Sequence, residues 1–304
     1  MQLTPSEVER FYRVWFSLLI YANKRYKVIK KLAEPAEPAK LAIDIHDAIE
    51  IRDKVWADDS ILDRFVADNP HQLAAEDLAL ATSWHKRVSS AYFIIFRHLK
   101  AYTVFLDDSS PARAYGVLGL KSSFKEICGP NLPVMVQAVL LPFEDKITFD
   151  GLLRPYSLIF GGGYRASFND AYRDAKEREG IITQLGIELS AAEKAEQRSA
   201  ANQRLLKAFE KYMYQEAGLS PQTVQRHLDV IQVMSGSFLP EHLPEKTLRD
   251  IESAHIQHFL NDWLPQHDPK KQKKAHTSLK RFLWFLRDTA RVDWDIVQKA
   301  LDDL

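Results

Sequence analysis

The residues best suited to bind a polyanion are concentrated between Lys270 and Arg291. This stretch holds eight basic residues and one acid, Asp288. A helix advances by ~100° per residue, so the positions divide into two sides. One side carries polar and basic residues: Lys270, Lys273, Lys274, Thr277, Lys280 and Arg281. The opposite side is apolar: Ala275, Leu279, Phe282, Leu286 and Ala290. Such a helix buries one side and could bind nucleic-acid phosphates with the other. The alternative is a solvated lysine face without a ligand.

A second helix start supplies further polar groups. Ser220-Pro221 is typical of a helix N-terminus, because serine caps the first turn and proline fits the first helical position. Gln222, Thr223 and Arg226 follow, and we expect them to be secondary phosphate contacts. Trp284 falls within the basic side of the helix of Lys270 to Arg291, where it could stack on a base or pack on the other domain; packing on the other domain is favoured.

A glycine run offers a weaker candidate for an anion site. Gly161, Gly162 and Gly163 stand between a predicted strand and a predicted helix, with Arg165 close behind. Backbone N–H groups of such a loop can bind a phosphate. The run has neither the spacing of a P-loop nor the order of a dinucleotide site. A tight turn that needs positive φ is the favoured interpretation.

Motifs for catalysis or metal binding are not found in the sequence. The ten histidines form no H-E-x-x-H, and His255 and His258 are interpreted as helix-surface residues. No G-x-S-x-G elbow occurs, and Cys128 beside Gly129 is expected to be a loop or core thiol. We therefore predict no catalytic residues, no metal and no cofactor, and retain an enzyme with an unrecognised site in the N-terminal domain as an alternative.

The composition is that of an ordinary folded protein. The chain has 304 residues, 46% of them hydrophobic, and 41 basic residues balance 41 acidic ones. Any surface that binds nucleic acid must therefore be local. A single cysteine fits a reducing compartment, and neither a signal sequence nor a membrane span is indicated. We expect a cytoplasmic protein.

The N-terminal part begins with helices. Thr4-Pro5-Ser6-Glu7 is a capping box, so a helix is predicted to begin there, and shorter helices follow up to about residue 86. Aromatic residues are frequent in this part and lie mostly on apolar helix faces, so core packing is favoured over a ligand pocket.

Residues of about 91–163 change to a β-type pattern. Short apolar runs alternate with turn residues, and Val134 to Leu141 is apolar on both faces except for Gln137, which indicates a strand buried on both sides. Five or six such strands predict an α+β fold in which helices pack on a small antiparallel, barrel-like sheet.

The sequence predicts two domains. Residues 1–189 form the α+β domain, 190–201 a charged helical connector that begins at the capping box Ser190–Glu193, and 202–304 an all-α bundle. The helix that begins in the connector is expected to continue to Ala217 and to end at Gly218.

Both domains resemble known families. LTPSEVERFYRVWFSLLIYAN and LLPFEDKITFDGLLRPYSLIFGGG look like a recurring bacterial family, which implies no activity. FEKYMYQEAGLSPQTVQRHLDVI, LRDIESAHIQHFLNDWL and KKAHTSLKRFLWFLRD are similar to the N-terminal core-binding domain of tyrosine recombinases, a SAM-like bundle that clamps DNA. Gly218 to Thr223 match the helix start of that family, and Lys273 to Phe285 its last amphipathic helix. Those recombinases carry an H-x-x-R and a nucleophilic tyrosine in a following domain, and H-x-x-R does not occur here.

The sequence therefore predicts a non-catalytic bacterial protein that binds double-stranded DNA with little sequence preference through its C-terminal domain. A protein-interaction scaffold of unknown partner and an unrecognised enzyme are the alternatives. The first alternative predicts no affinity for nucleic acid, and the second predicts a deep pocket with perturbed titratable groups.

Overall fold

A computed structural model of the chain describes residues 1–187, 189–289 and 291–304. Its contacts divide the chain into two compact units. Unit 1 comprises Met1–Ala175 and Ile181–Ile187, and unit 2 comprises Lys176–Gly180 and Glu188–Leu304. The fold class is α+β, as predicted.

Unit 1 opens with four helices: α1 Pro5–Tyr26, α2 Ile45–Ala57, α3 Ser60–Asp68 and α4 Ala75–Ser83. The predicted capping box begins α1, because Thr4 accepts from the backbone of Glu7 and the Glu7 side chain accepts from that of Thr4. The inner side of α1 is fully buried and includes Phe11, Val14 and Leu18. The N-terminal aromatic residues Phe11, Trp15 and Trp84 lie in this core, which confirms packing as their role.

Unit 1 also contains the sheet. Its strands are β1 Val88–Ser89, β2 Phe93–His98, β3 Thr103–Leu106, β4 Ala114–Val117, β5 Val134–Gln137, β6 Val139–Phe143, β7 Lys146–Phe149 and β8 Arg154–Pro155. Helix α5, Phe124–Cys128, follows β4, and α6, Gly162–Arg178, follows β8; the last three residues of α6 belong to unit 2.

The sheet differs from the predicted antiparallel barrel. Its order is β1-β6-β7-β4-β3-β2-β5-β8, and it is open, because β1 and β8 form its two ends. It is also mixed, since β4 and β7 pair in parallel at Val117 and Ile147. The predicted strand of Val134 to Leu141 is divided at Ala138, so that β5 pairs with β2 while β6 pairs with β7. Ala138 alone thus joins two strands that lie near opposite ends of the strand order. The sheet must therefore curve strongly, although its two end strands do not pair.

Buried charges in unit 1 are paired. Arg52 in α2 and Asp150 after β7 are almost fully buried, and Arg52 Nη1 donates to Asp150 at 3.1 Å. Trp56 Nε1 donates to the same carboxylate at 3.1 Å. Asp77 in α4 accepts from both Arg10 and Arg13 at 2.9 Å. These pairs connect the helices to each other and to the end of a strand.

Unit 2 is helical apart from its loops. Its helices are α7 Ala191–Gln215, α8 Pro221–Val233, α9 Leu239–His242, α10 Ser253–His258, α11 Leu264–His267, α12 Pro269–Asp288 and α13 Trp294–Asp302. A π-helical segment, Met234–Phe238, joins α8 to α9, and another, Phe259–Trp263, joins α10 to α11. The core lies between α7, α8, α12 and the π-helical segments and includes Phe209, Phe238, Phe259 and Phe282.

The predicted connector is the first part of α7. Ser190 accepts from the backbone of Glu193 and forms the expected capping box, and the helix continues without a break to Gln215. Gly218 follows with φ 59°, as expected for a helix-ending glycine. The next turn of α7 is already buried: Asn202 Oδ1 accepts from Leu248 N at 2.9 Å. In the part of the chain that the structure describes, we find no helix with the length and apolar character needed to span a bilayer.

Candidate nucleic-acid interface

Helix α12 provides the scaffold of the predicted interface. Pro269 occupies its first turn, and Asp268 before it pairs with Lys271 at 2.9 Å rather than capping the helix with its side chain. The predicted apolar positions Ala275, Leu279, Phe282 and Leu286 are all buried, so this side of α12 forms part of the core of unit 2. Ala290, the last apolar position of the prediction, lies outside the described residues.

The opposite side of α12 is exposed and basic. We define the α12 basic face as Lys270, Lys273, Lys274, Thr277, Lys280 and Arg281. All are exposed except Arg281, which is half-buried. Among the described residues, no carboxylate lies within ion-pair distance of the five cations of this face.

Three other basic residues of the stretch are engaged within the protein. Lys271 pairs with Asp268, and Arg287 pairs with Asp288 at 3.1 Å. Arg291 donates two hydrogen bonds to Glu177, at 2.6 and 2.7 Å. The count of eight basic residues in the sequence therefore overstates the charge that is available to a ligand.

The C-terminal end of the basic face is closed by an acid. Asp288 lies on the same side of α12 and accepts from Tyr212 Oη at 2.8 Å and from Arg287. The burial of Tyr212 and its bond to Asp288 raise the pKa of its phenol, so it stays protonated as a donor. The positive surface thus covers the first three turns of α12 and ends near Arg281.

Arg281 is held by an aromatic ring. Its guanidinium carbon lies 5.3 Å from the centroid of the Trp284 ring, and Trp284 itself is half-buried against the core of unit 2. Packing was the favoured interpretation of Trp284, but the residues it packs on belong to its own unit. The contact orients the Arg281 side chain without neutralising it.

Helix α8 packs alongside α12 and adds the second set of predicted residues. Gln222 and Arg226 are exposed, and Thr223 is half-buried with its hydroxyl 3.0 Å from that of Ser220, the N-cap. An acid is also present on this helix, since Asp229 accepts from Gln225 at 2.7 Å.

A buried hydrogen bond connects the two helices. His227 Nδ1 of α8 lies 3.0 Å from Ser278 Oγ of α12. Burial lowers the pKa of His227, and the positive charges of Arg281 and Arg226 lower it further. Arg226 directly precedes His227 in α8, and Arg281 follows Ser278 by three residues in α12, so the bond between His227 and Ser278 brings the two predicted sets together. His227 was not predicted as a site residue; its position directly after Arg226, on the apolar side of a predicted helix, was the available signal.

The glycine run does not form the expected turn. Gly161, Gly162 and Gly163 have no positive φ, and the last two begin α6 instead. The turn interpretation was wrong because a helix starts directly at the glycines. Arg165, the predicted anion contact, donates to two carbonyls, Phe160 O at 3.2 Å and Leu132 O at 3.1 Å. Its guanidinium is therefore used in part to hold the segment before the helix.

Other candidate sites have structural explanations. His255 Nδ1 accepts from Glu252 N at 3.0 Å at the start of α10, and His258 Nδ1 lies 2.9 Å from Asp262. Burial raises the pKa of Cys128, a half-buried thiol. The described residues contain no group of three or more His, Cys, Asp or Glu side chains that could hold a metal ion.

Unit 1 contains a cavity of about 380 Å³ that the sequence did not indicate. It lies between the start of α1, the short 3-10 helix Pro38–Lys40 and the loop after β4. Its lining includes Leu3, Val8 and Leu120, together with Tyr12 and Lys121. The ammonium of Lys121 lies 4.9 Å from the centroid of the Tyr12 ring, and burial raises the pKa of that phenol. The enzyme alternative could use this cavity.

The sequence matches no family model, and neither curated proteins nor solved structures show significant similarity to the chain. No family is assigned to the protein on these grounds. The resemblance of unit 2 to recombinase core-binding domains stays a prediction.

Proposed function

We propose that unit 2 binds double-stranded DNA through the α12 basic face, with α8 as a second point of contact, and that the protein does so without catalysing strand transfer. The observation that carries the proposal is the set of five cations on α12 that have no carboxylate partner among the described residues. In unit 1, by contrast, the three arginines described above, Arg10, Arg13 and Arg52, all have carboxylate partners. Cations without partners retain their full charge for a ligand.

The geometry suits a phosphate backbone. Lys273, Lys280 and Arg281 are carried by a rigid helix whose other side is buried, so binding requires little ordering of the main chain. Lysine and arginine contacts to phosphates carry no sequence information by themselves. We therefore propose weak sequence preference, and we propose a cytoplasmic location on the basis of the single, half-buried cysteine.

The test compares two variants of equal charge by fluorescence anisotropy with a labelled duplex. The face variant replaces Lys273, Lys274, Lys280 and Arg281 by alanine. The matched control replaces four exposed lysines of unit 2 outside the basic face, Lys194, Lys207, Lys211 and Lys299. Loss of about four phosphate contacts should weaken binding by about 10³-fold at 100 mM salt in the face variant only.

Two results would contradict the proposal. Equal losses in the two variants would mean that net charge, rather than the α12 basic face, drives binding. An absence of binding by the natural chain at 50 mM salt would remove the nucleic-acid function altogether.

Protein interaction is the second candidate, and one segment of unit 1 favours it. Four large apolar or aromatic residues of the segment before and within the start of α6 are exposed: Tyr156 by 39%, Leu158 by 54%, Ile159 by 99% and Tyr164 by 66%. Exposed apolar residues that cluster in this way mark interaction surfaces. If this surface mediates self-association, analytical ultracentrifugation should give a larger mass for the natural chain than for the Ile159→Asp variant. A monomer mass for both chains would exclude self-association through this surface.

A further inference from the structure

The hydrogen bonds around His227 define which of its nitrogens is free. Ser278 Oγ donates to Lys274 O at 3.0 Å, four residues earlier in α12. A hydroxyl has one proton, so Ser278 Oγ can only accept from His227 Nδ1. The proton of the neutral imidazole is therefore on Nδ1, and Nε2 is left without a hydrogen-bond partner among the described residues. His227 is 7% exposed, and Nε2 is not among the fully buried polar atoms that lack a partner, so this nitrogen keeps some contact with solvent.

The surroundings of the imidazole are cationic. The charged groups that act on it are Arg281 from α12 and Arg226 from its own helix. The third neighbouring helix, α7, turns the apolar residues Leu205, Phe209 and Met213 inward. The imidazole thus lies in the positive field of two guanidinium groups, and its Nε2 can become a donor by taking up one proton.

We infer that Arg226, His227 and Arg281 form a site for one phosphate group of the bound duplex, and that a protonated His227 donates a hydrogen bond from Nε2 to that phosphate. The inference rests on the proposed DNA binding and adds a residue and a proton to it. Without a ligand the two arginines oppose protonation of the imidazole. The phosphate offsets their charge and offers an acceptor, so a proton from solvent enters as the duplex binds.

The direction of the pH effect follows from linkage. The complex binds more protons than the free protein, so affinity for the duplex increases as pH falls. One site allows at most about a tenfold change per pH unit. The increase should level off at low pH, where His227 is protonated before the duplex arrives.

The experiment measures duplex affinity between pH 5.5 and 8.0 for the full chain and two variants. His227→Asn keeps an amide donor close to the position of Nδ1 for Ser278 but does not titrate. His276→Asn is the control, because His276 is an exposed histidine of α12 outside the proposed site. We expect the natural chain and His276→Asn to bind more tightly at low pH, and His227→Asn to lose that dependence.

The outcomes separate this site from the function on which it rests. Binding at all pH values with the same pH dependence in His227→Asn would overturn the site but leave DNA binding intact. An absence of binding at every pH would overturn both. A second measurement needs no variant: the imidazole titration followed by NMR should move to higher pH when the duplex is added, and an unchanged titration would contradict the site.

Discussion

Arg52 in unit 1 and Arg281 in unit 2 are both held by their own unit, but only Arg52 meets a carboxylate. Arg52 is 3% exposed and bonds Asp150, which is fully buried. Arg281 is half-buried and lies over the Trp284 ring with no carboxylate partner among the described residues. A buried charge needs a partner because desolvation is costly, whereas a charge at the surface can remain unpaired with little effect on folding. The surface that is available to a ligand is therefore marked by cations without carboxylate partners, and not by the number of cations.

The largest effect is expected from breaking the buried pair of unit 1. Arg52→Met leaves Asp150 buried without a counter-charge, which should lower the free energy of unfolding by about 3–5 kcal/mol. Urea unfolding followed by circular dichroism measures it. The double variant Arg52→Met/Asp150→Leu should recover part of the loss, since neither charge then remains; a single variant as stable as the natural chain would contradict the role of the pair.

A smaller loss is expected from a pair in unit 2. Arg291 and Glu177 are 10% and 15% exposed and share two short hydrogen bonds. Arg291→Met should lower the free energy of unfolding by about 1.5–3 kcal/mol, because hydrogen bonds to charged groups are stronger than neutral ones. Arg287→Met on α12 is the control, since its exposed pair with Asp288 should be worth less than about 1 kcal/mol. Equal effects of the two variants in denaturant unfolding would count against this distinction.

The stability of unit 2 should also depend on pH through His227. Its pKa is lowered in the folded chain, first by burial and then by Arg281 and Arg226. The unfolded chain therefore takes up the proton at higher pH, so stability is complete above about pH 6.5 and decreases as pH falls towards the folded pKa. Unfolding at pH 7.5, 6.5 and 5.5 should show a weaker dependence for His227→Asn; the same dependence in both chains would contradict this assignment.

The smallest effect on stability is expected from the unpaired cations. Replacement of the exposed residues Lys273, Lys274 and Lys280 by alanine should leave the free energy of unfolding within about 0.5 kcal/mol per site, because surface substitutions away from buried contacts have little effect. Arg281→Ala also removes the contact with the Trp284 ring, which should cost about 0.5–1 kcal/mol. The thermal midpoint of the face variant should therefore lie only slightly below that of the matched control. A marked loss in the face variant alone would mean that these side chains support the fold.

The helices of both units could be predicted because local signals define them. The capping boxes at Thr4 and Ser190 and the proline at the start of α12 act within one turn of chain, and the apolar side of α12 follows from its periodicity. The open sheet could not be predicted, since the parallel pairing of β4 and β7 and the division at Ala138 depend on contacts between distant residues.

In the candidate site, too, the features of a single helix could be predicted, whereas the contacts between distant residues could not. The basic side of α12 is a property of one helix and was visible in the sequence. The pairing of Arg291 with Glu177 joins residues far apart in the chain, so the sequence count included Arg291 among the cations for a ligand. The bond of His227 to Ser278, which brings α8 and α12 together, depends on the packing of the two helices and could not be predicted. Long-range pairing therefore decides which charges remain for a ligand.

The central claim is that the unpaired cations of the α12 basic face bind DNA phosphates, and its most direct test is the salt dependence of duplex binding. With about six phosphate contacts, a plot of log affinity against log salt concentration should have a slope near −5, and affinity should fall by roughly 10³-fold between 50 and 200 mM salt. The face variant should retain a slope near −2, whereas the matched control should keep the slope of the natural chain. A slope near zero for the natural chain, or equal slopes for the natural chain and the face variant, would contradict the claim.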